Sequence, residues 1–224
     1  MVILNEEVTA FINQYYKSPN EQLAEMRSFA EKEIVPIILK ETEIYLNTLL
    51  PLIKPKKILE VGTAIGYSAI YFALMCPEAE IFTIEKNEEV YKTALANIEA
   101  AGLSDRIHCY LGDGEEQIDK IREEGEEGFD LVFLDAAKSH YRRFIDSAIR
   151  VCDDRAVILS DNIMQHGMTA VEVFLQYRKH RTNIRRMREF VEYISTNPKF
   201  ETSVLSIGDG IAVSIYNKDL HDKE

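Results

Sequence analysis

The chain has 224 residues, 46% of them hydrophobic, and a formal charge of −12, which fits one α/β domain with a sizeable core. The net acidity argues against nonspecific nucleic-acid binding and against DNA as a partner, and no stretch approaches the ~20 apolar residues of a membrane span. Met1 to Lys17 carries Glu6 and Glu7 without a basic leader, and Cys76, Cys109 and Cys152 are scattered through apolar segments, so a cytoplasmic protein with reduced thiols is expected, with no secretory signal, disulfide framework or zinc site.

Apolar positions recur with helical spacing over about residues 4–17, 21–34 and 41–53, with Pro36, Pro51 and Pro55 as breakers. From Lys57 the pattern alternates. Strands are predicted over about 57–61, 80–85, 106–110, 129–134 and 155–160, with helices starting near Tyr67, Asn87, Gly114, His140 and Met168. Five successive βα units imply a parallel sheet covered on both faces. The rhythm then changes: Phe200 to Ser206 and Ile211 to Tyr216 read as two strands joined by Gly208-Asp209-Gly210, a hairpin signal. The predicted fold is α/β and Rossmann-like, a mostly parallel seven-stranded sheet finished by an antiparallel hairpin. One domain over residues 1–224 would comprise a helical N-terminal extension, 1–56, and the core, 57–224.

The most informative stretch follows the first predicted strand. Ile58-Leu59-Glu60-Val61-Gly62-Thr63-Ala64-Ile65-Gly66-Tyr67-Ser68 is a short apolar run with an acid, a Gly-x-x-x-Gly turn and the start of a helix. Parallel sheets present nucleoside-type ligands at such a turn, where glycine lets the backbone approach closely. The dinucleotide spacing G-x-G-x-x-G is absent, and a carboxylate at Glu60 would repel a pyrophosphate. It would suit the cationic amino group of S-adenosylmethionine. Glu85 ends the second strand, where an acid can accept both ribose hydroxyls, and Gly112-Asp113 follows the third, where a carboxylate could meet an adenine amino group. Any one of these acids could be an ordinary strand end or helix cap. Together they point to S-adenosylmethionine.

The ends of strands four and five carry the chemistry. Leu131 to Asp135 delivers an aspartate and, three residues on, Lys138, while Val157 to Asn162 delivers Asp161 and Asn162 side by side. Two carboxylates and an amide oxygen converging at one sheet edge make an all-oxygen site suited to Mg2+, or to Mn2+ in its place. As purely structural features, Asp161-Asn162 would be a capping pair and Asp135–Lys138 a surface ion pair worth little. His140 and His166 are single and flank loops, the usual setting of solvated histidines.

Together with Val35-Pro36-Ile37 and Ile207-Gly208-Asp209-Gly210-Ile211-Ala212, these motifs resemble the metal-dependent class I O-methyltransferases, the group of catechol and caffeoyl-CoA O-methyltransferases. The likeness runs over nearly the whole chain and is greatest to the bacterial tRNA 5-hydroxyuridine methyltransferases. It implies that Asp135, Asp161 and Asn162 bind the metal and that Asp135 and Lys138 are catalytic, Lys138 helping to deprotonate the acceptor hydroxyl. It further implies that Val35, Glu60, Gly62, Ala64, Tyr67, Ser68, Glu85, Gly112, Asp113 and Asp135 hold S-adenosylmethionine. A homodimer is expected on the same ground, and from three amphipathic N-terminal helices with no obvious place in the core. Gly114 departs from the family's more usual alanine and is expected to loosen its turn slightly.

Metal-assisted methyl transfer requires an acceptor with two vicinal oxygens, a condition that catechols and 5-hydroxyuracil both meet. Arg178, Lys179, Arg181, Arg185, Arg186 and Arg188 fall within eleven residues that contain no acid, an isolated basic patch where phosphates beside an extruded nucleotide could be met. Read structurally, the run is a solvated helix face or a dimer contact with the acidic segment Asp119 to Glu127. The expected activity is therefore methylation of wobble 5-hydroxyuridine in tRNA to 5-methoxyuridine. The alternatives are a catechol-like or caffeoyl-CoA-type acceptor, and, from another class, a non-catalytic RNA-binding protein on the same fold.

Overall fold

A computed structural model describes residues 6–172 and 180–220. Three helices, α1 (Glu6–Asn13), α2 (Glu21–Glu33) and α3 (Lys40–Ile53), precede the sheet. Strands β1 (Lys57–Val61), β2 (Glu80–Glu85), β3 (Ile107–Leu111), β4 (Phe129–Leu134) and β5 (Cys152–Ser160) follow. Between them lie α4 (Tyr67–Met75), α5 (Glu88–Ala100), α6 (Gly114–Glu123) and α7 (Tyr141–Ala148). Helix α8 (Arg181–Thr196) leads into β6 (Phe200–Leu205) and β7 (Ile211–Tyr216). The strand order is β3-β2-β1-β4-β5-β7-β6. Pairing is parallel from β3 across to β5, and β7 runs antiparallel to both β5 and β6.

The central strands read as continuous apolar runs because both faces are covered. Side chains alternate between the faces with period two. Leu59, Val61, Val132, Leu134 and Ile158 pack with Ile118 of α6, Phe144 of α7 and Met187 and Phe190 of α8. Ile58, Leu131, Phe133 and Leu159 form the other layer, with Ile70 and Phe72 of α4 and Ile98 of α5.

That second layer also takes in Leu23, Met26 and Ala30 of α2 and Leu46 and Leu50 of α3. Helices α2 and α3 thus have a place in the core, whereas α1 has no buried residue and leaves Phe11 exposed, so of the expected ground for a homodimer in three unplaced helices only α1 remains, beside the resemblance. Pro51 lies within the last turn of α3 and does not break it, since the helix runs on to Ile53. Strand β5 starts three residues earlier than expected, at Cys152, with a register shift against β4 and Arg155 at φ 64. No helix starts at Met168. Residues 163–170 are turns, with Met168 N–H donating to Gln165 O at 3.1 Å and Thr169 N–H to Met164 O at 3.1 Å. The segment 173–179, which that expectation also covers, lies outside the described residues. Among the described residues no helix is long and apolar enough to cross a membrane, and Cys76, Cys109 and Cys152 are free thiols.

If α3 belongs to the core, Leu46→Ala should cost about 2–5 kcal/mol in equilibrium denaturation, the penalty of a cavity under a buried leucine. A loss below about 1 kcal/mol, typical of surface substitutions, would detach α3 from the core.

Candidate active site

The C-terminal ends of β1 to β4 open onto a cavity of about 440 Å³. Its wall includes Gly62, Ala64, Tyr67, Ser68, Glu85, Gly112, Asp113, Asp135 and Lys138, with Pro36–Ile38 added from the segment between α2 and α3. Nearly all the residues expected to hold a nucleoside ligand are therefore on one surface. Gly62 is required there twice over. Its φ is 111°, and a Cβ would lie 2.1 Å from the carbonyl oxygen of Asp135. Glu85 braces the turn, accepting the Ala64 N–H at 3.0 Å and the Asn87 N–H at 2.8 Å. Asp113 caps α6 by accepting the Glu115 N–H at 3.2 Å, and Arg143 donates to it at 2.9 Å.

Two expected members of the wall are elsewhere. Val35 packs against the core, and the cavity begins at Pro36. Glu60 is wholly buried and does not line the cavity. Its carboxylate accepts from Ser68 Oγ and, at 2.5 Å, from Thr83 Oγ1, which in turn pairs with Thr63 Oγ1 at 2.6 Å. Burial pushes the Glu60 carboxyl up to about 7, partly offset by these two hydroxyl donors and reinforced by the charges of Asp135 and Glu85. Glu60 thus holds the wall residue Ser68 in place from behind.

Gly114 also differs from expectation. A Cβ there would lie 2.7 Å from Phe144 Cε1 and 2.9 Å from Val61 Cγ1. The glycine tightens the packing of α6 on α7 and β1.

Asp135, Asp161, Asn162 and Lys138 do come together. Asp135 Oδ1 accepts from Lys138 Nζ at 3.0 Å and from Asn162 Nδ2 at 3.0 Å. Asp161 Oδ1 accepts the Asn162 N–H at 2.7 Å, while its Oδ2 is buried without a hydrogen-bond partner. Burial, with the charge of Asp135, pushes the Asp161 carboxyl up to about 8. A buried carboxylate oxygen left unpaired is costly and calls for a compensating cation. Among the described residues no three His, Cys, Asp or Glu side chains form a metal-binding group; the oxygens gathered here are those of two carboxylates and one amide, Asp135, Asp161 and Asn162. These hard oxygens fit a divalent cation of the Mg2+ type. Asp161 and Asn162 do not line the cavity, and Asn162 connects to it through Asp135.

Three contributors were not singled out for this site from the sequence. Buried Tyr141 accepts from Lys138 Nζ at 3.2 Å and donates to the Asp161 carbonyl at 2.8 Å, tying the lysine to the metal-type pair. The Lys138-x-x-Tyr141 spacing, one helical turn, is the signal that could have found it. Asp209 accepts the His166 N–H at 2.5 Å, and its carbonyl accepts the Met164 N–H at 2.9 Å. It thereby holds the backbone that follows Asn162, itself at φ 57. His140, expected to be solvated, lines the cavity edge-on to Phe144.

Of the basic run, Arg178 and Lys179 lie outside the described residues. Arg181, Arg185 and Arg186 occupy the exposed face of α8, opposite the buried Ile184, Met187, Phe190 and Ile194. Arg186 donates to the Ser139 carbonyl at 3.3 Å, in the 3-10 turn Lys138–His140 at the cavity rim. Arg188 turns inward to the Thr169 carbonyl at 2.6 Å. The acidic segment pairs within its own chain: Asp119 with Arg150 at 2.7 Å, Glu126 with Lys57 at 2.6 Å.

Comparison with known proteins follows the same lines. An O-methyltransferase family model matches residues 14–216. A caffeoyl-CoA O-methyltransferase of Eucalyptus globulus is 30% identical over 206 residues, 88% of this chain and 82% of the relative. One from Populus kitakamiensis is 29% identical over 208 residues, 88% and 87% of the two chains. Among solved structures, a Staphylococcus aureus protein provisionally assigned as a caffeoyl-CoA O-methyltransferase superposes with TM-score 0.86 at 27% identity, covering 93% of this chain and 99% of the other. A Bacillus cereus O-methyltransferase in complex with SAH gives 0.81 at 24% identity, over 94% and 97%.

Because Glu60 titrates near 7 in the folded protein against an ordinary 4.5, the folded state holds this proton more tightly than the unfolded chain. Its contribution to stability is full below pH 4.5 and is lost as pH rises towards 7. Urea titrations across that window should show Glu60→Gln gaining up to about 3 kcal/mol on the wild type. A constant difference between the two would mean that Glu60 is ionised in the fold.

Proposed function

The chain belongs to the O-methyltransferase family, and from that membership we propose that it moves the methyl group of S-adenosylmethionine to a hydroxyl with a neighbouring oxygen. One observation carries the chemistry: the unpaired buried Oδ2 of Asp161, next in sequence to Asn162, whose amide is bonded to Asp135 on the cavity wall, where Lys138 also donates. The methyl donor would occupy that cavity, its ribose hydroxyls accepted by Glu85 and its adenine beside Asp113, both on the wall. The SAH complex of the Bacillus cereus relative and the SAM complex of TomG from Streptomyces achromogenes support a donor of this kind. Asp135, Asp161 and Asn162 would hold Mg2+, or Mn2+, which when bound acidifies the acceptor hydroxyl and fixes its orientation. Lys138 would take the hydroxyl proton only as the neutral amine, after a dication and a sulfonium beside it have driven off its own extra proton, and Tyr141 keeps that nitrogen at Asp135. The acceptor oxygen then forms its bond to the methyl carbon as the sulfur–carbon bond breaks, and the sulfonium becomes a neutral thioether. Opposite charges cancel in that step, so the residues act chiefly by alignment.

For the acceptor we propose 5-hydroxyuridine at the tRNA wobble position, whose 5-hydroxyl and 4-carbonyl are vicinal. The exposed arginines of α8 support it, since Arg186 reaches the rim turn that carries Lys138. Phosphates flanking an extruded base would meet Arg181 and Arg185 on the same face. A catechol-like or CoA-thioester acceptor is the second reading, favoured by the caffeoyl-CoA O-methyltransferases among the relatives.

Purified protein with labelled S-adenosylmethionine and Mg2+ should methylate tRNA bearing 5-hydroxyuridine, and EDTA should abolish the transfer. Label appearing only in a catechol or caffeoyl-CoA would instead assign the enzyme to small molecules. Asp161→Ala should lower turnover by about 100-fold or more while sparing SAH binding, and activity surviving at the wild-type level would refute the metal assignment. Replacing Arg185 and Arg186 by Glu should weaken tRNA binding and leave catechol turnover unchanged. Equal losses on both acceptors would make the two arginines structural.

A further inference from the structure

A buried polar cluster outside the reacting groups joins the N-terminal helices to the cavity. Arg27 of α2 and Glu43 of α3 are 5% and 0% exposed, and their side chains meet at 2.6 Å. The guanidinium also donates to the Ile38 carbonyl at 3.0 Å, to Tyr16 at 3.0 Å and to Tyr67 at 3.2 Å. It lies over both tyrosine rings, 5.0 Å from the centroid of Tyr16 and 4.8 Å from that of Tyr67. Glu43 accepts the Tyr67 hydroxyl at 2.8 Å on one oxygen and the Tyr16 hydroxyl at 3.1 Å on the other. Ion pairs this deeply buried often contribute no net stability over apolar groups of like volume, because desolvation offsets the attraction. What a satisfied network does supply is a single geometry. Here that geometry reaches the cavity at two points. Tyr67 opens α4 directly before Ser68 and lines the wall, and Ile38 ends the Pro36–Ile38 segment that closes the wall from the N-terminal side.

We propose that Arg27 and Glu43 are positioning residues for the methyl donor: their ion pair fixes Tyr67 and the Ile38 carbonyl, and so sets the shape of the pocket that binds the donor. The pair touches neither donor nor acceptor, so its loss weakens donor binding and leaves the chemical step intact. The inference rests on the methyl-donor reading of the cavity.

The test is isothermal titration with SAH alongside thermal melting and steady-state kinetics. The double replacement Arg27→Met with Glu43→Leu keeps the volume apolar and should melt within a few degrees of the wild type. Its SAH Kd and its KM for S-adenosylmethionine should rise about tenfold or more, while kcat at saturating donor stays within about twofold, a loss of uniform binding. Tyr67→Phe, which removes only one hydroxyl, should raise the Kd in the same direction. Added to the double variant it should bring little further loss, since the hydroxyl's partners are already gone. A double variant of native melting temperature and native Kd overturns the proposal. Should that variant fail to fold, Arg27→Lys decides, because one ammonium cannot reproduce the fork that reaches Glu43, Ile38 and both tyrosines. A several-fold rise in Kd supports the proposal and an unchanged Kd overturns it. Wild-type protein that binds no SAH in the same cell would overturn the donor reading itself, an outcome distinct from equal binding by wild type and variants.

Discussion

The site hangs on a contact that only glycine permits. At the end of β1 the backbone of Gly62 comes so close to the Asp135 carbonyl that a methyl group would sit 2.1 Å from its oxygen. Hydrogen bonds hold the approach, Asp135 N–H to Val61 O at 3.0 Å and Gly62 N–H to Ile84 O at 3.0 Å. The glycine turn after β1 and the aspartate after β4 are thus one junction. Any residue that pushed the two strand ends apart would move the Gly62 turn of the cavity wall away from Asp135 and from the Lys138 and Asn162 side chains bonded to it.

Around that junction the protein gathers acids. Glu60, Glu85, Asp135, Asp161 and Asp209 lie near the same sheet edge, and Lys138 is the cation hydrogen-bonded to Asp135 there. Burial raises Glu60 and Asp161 well above ordinary carboxylates, and each feels the negative charge of Asp135. Such a concentration of acids favours cationic ligands over anionic ones.

How much of this could be read from the sequence follows from how local each signal is. Strand ends carrying Asp135 and Asp161-Asn162 are legible because an apolar run that stops at an acid is a short-range pattern, and the parallel sheet then brings such ends together. Glu60 is expected from the sequence to face the donor, and the structure instead buries it behind the wall. Its parity with Ile58 puts it on the α4 side of the sheet, under Ser68 and away from the cavity. The function of Gly114 depends on Phe144, thirty residues on, and no local pattern announces that contact. The pair Arg27–Glu43 joins two helices across sixteen positions and looks, in sequence, like two ordinary surface charges. The helix expected at Met168 fails because Gln165, His166 and Gly167 take positive φ, held in turns by bonds to a strand connection that comes forty residues later.

That last arrangement decides where the backbone around Asn162 is held. Asn162, Gln165 and His166 are non-glycine residues in left-handed backbone, each costing on the order of 1–3 kcal/mol unless its surroundings impose it. The imposing groups are Asp209 and Gly210, which receive the N–H groups of Ile163, Met164 and His166. The backbone after Asp161 therefore has these partners only where the turn before β7 lies against it. The cavity wall is drawn from residues 36–144, so the conformation at Asn162 answers to a part of the chain that the wall does not use.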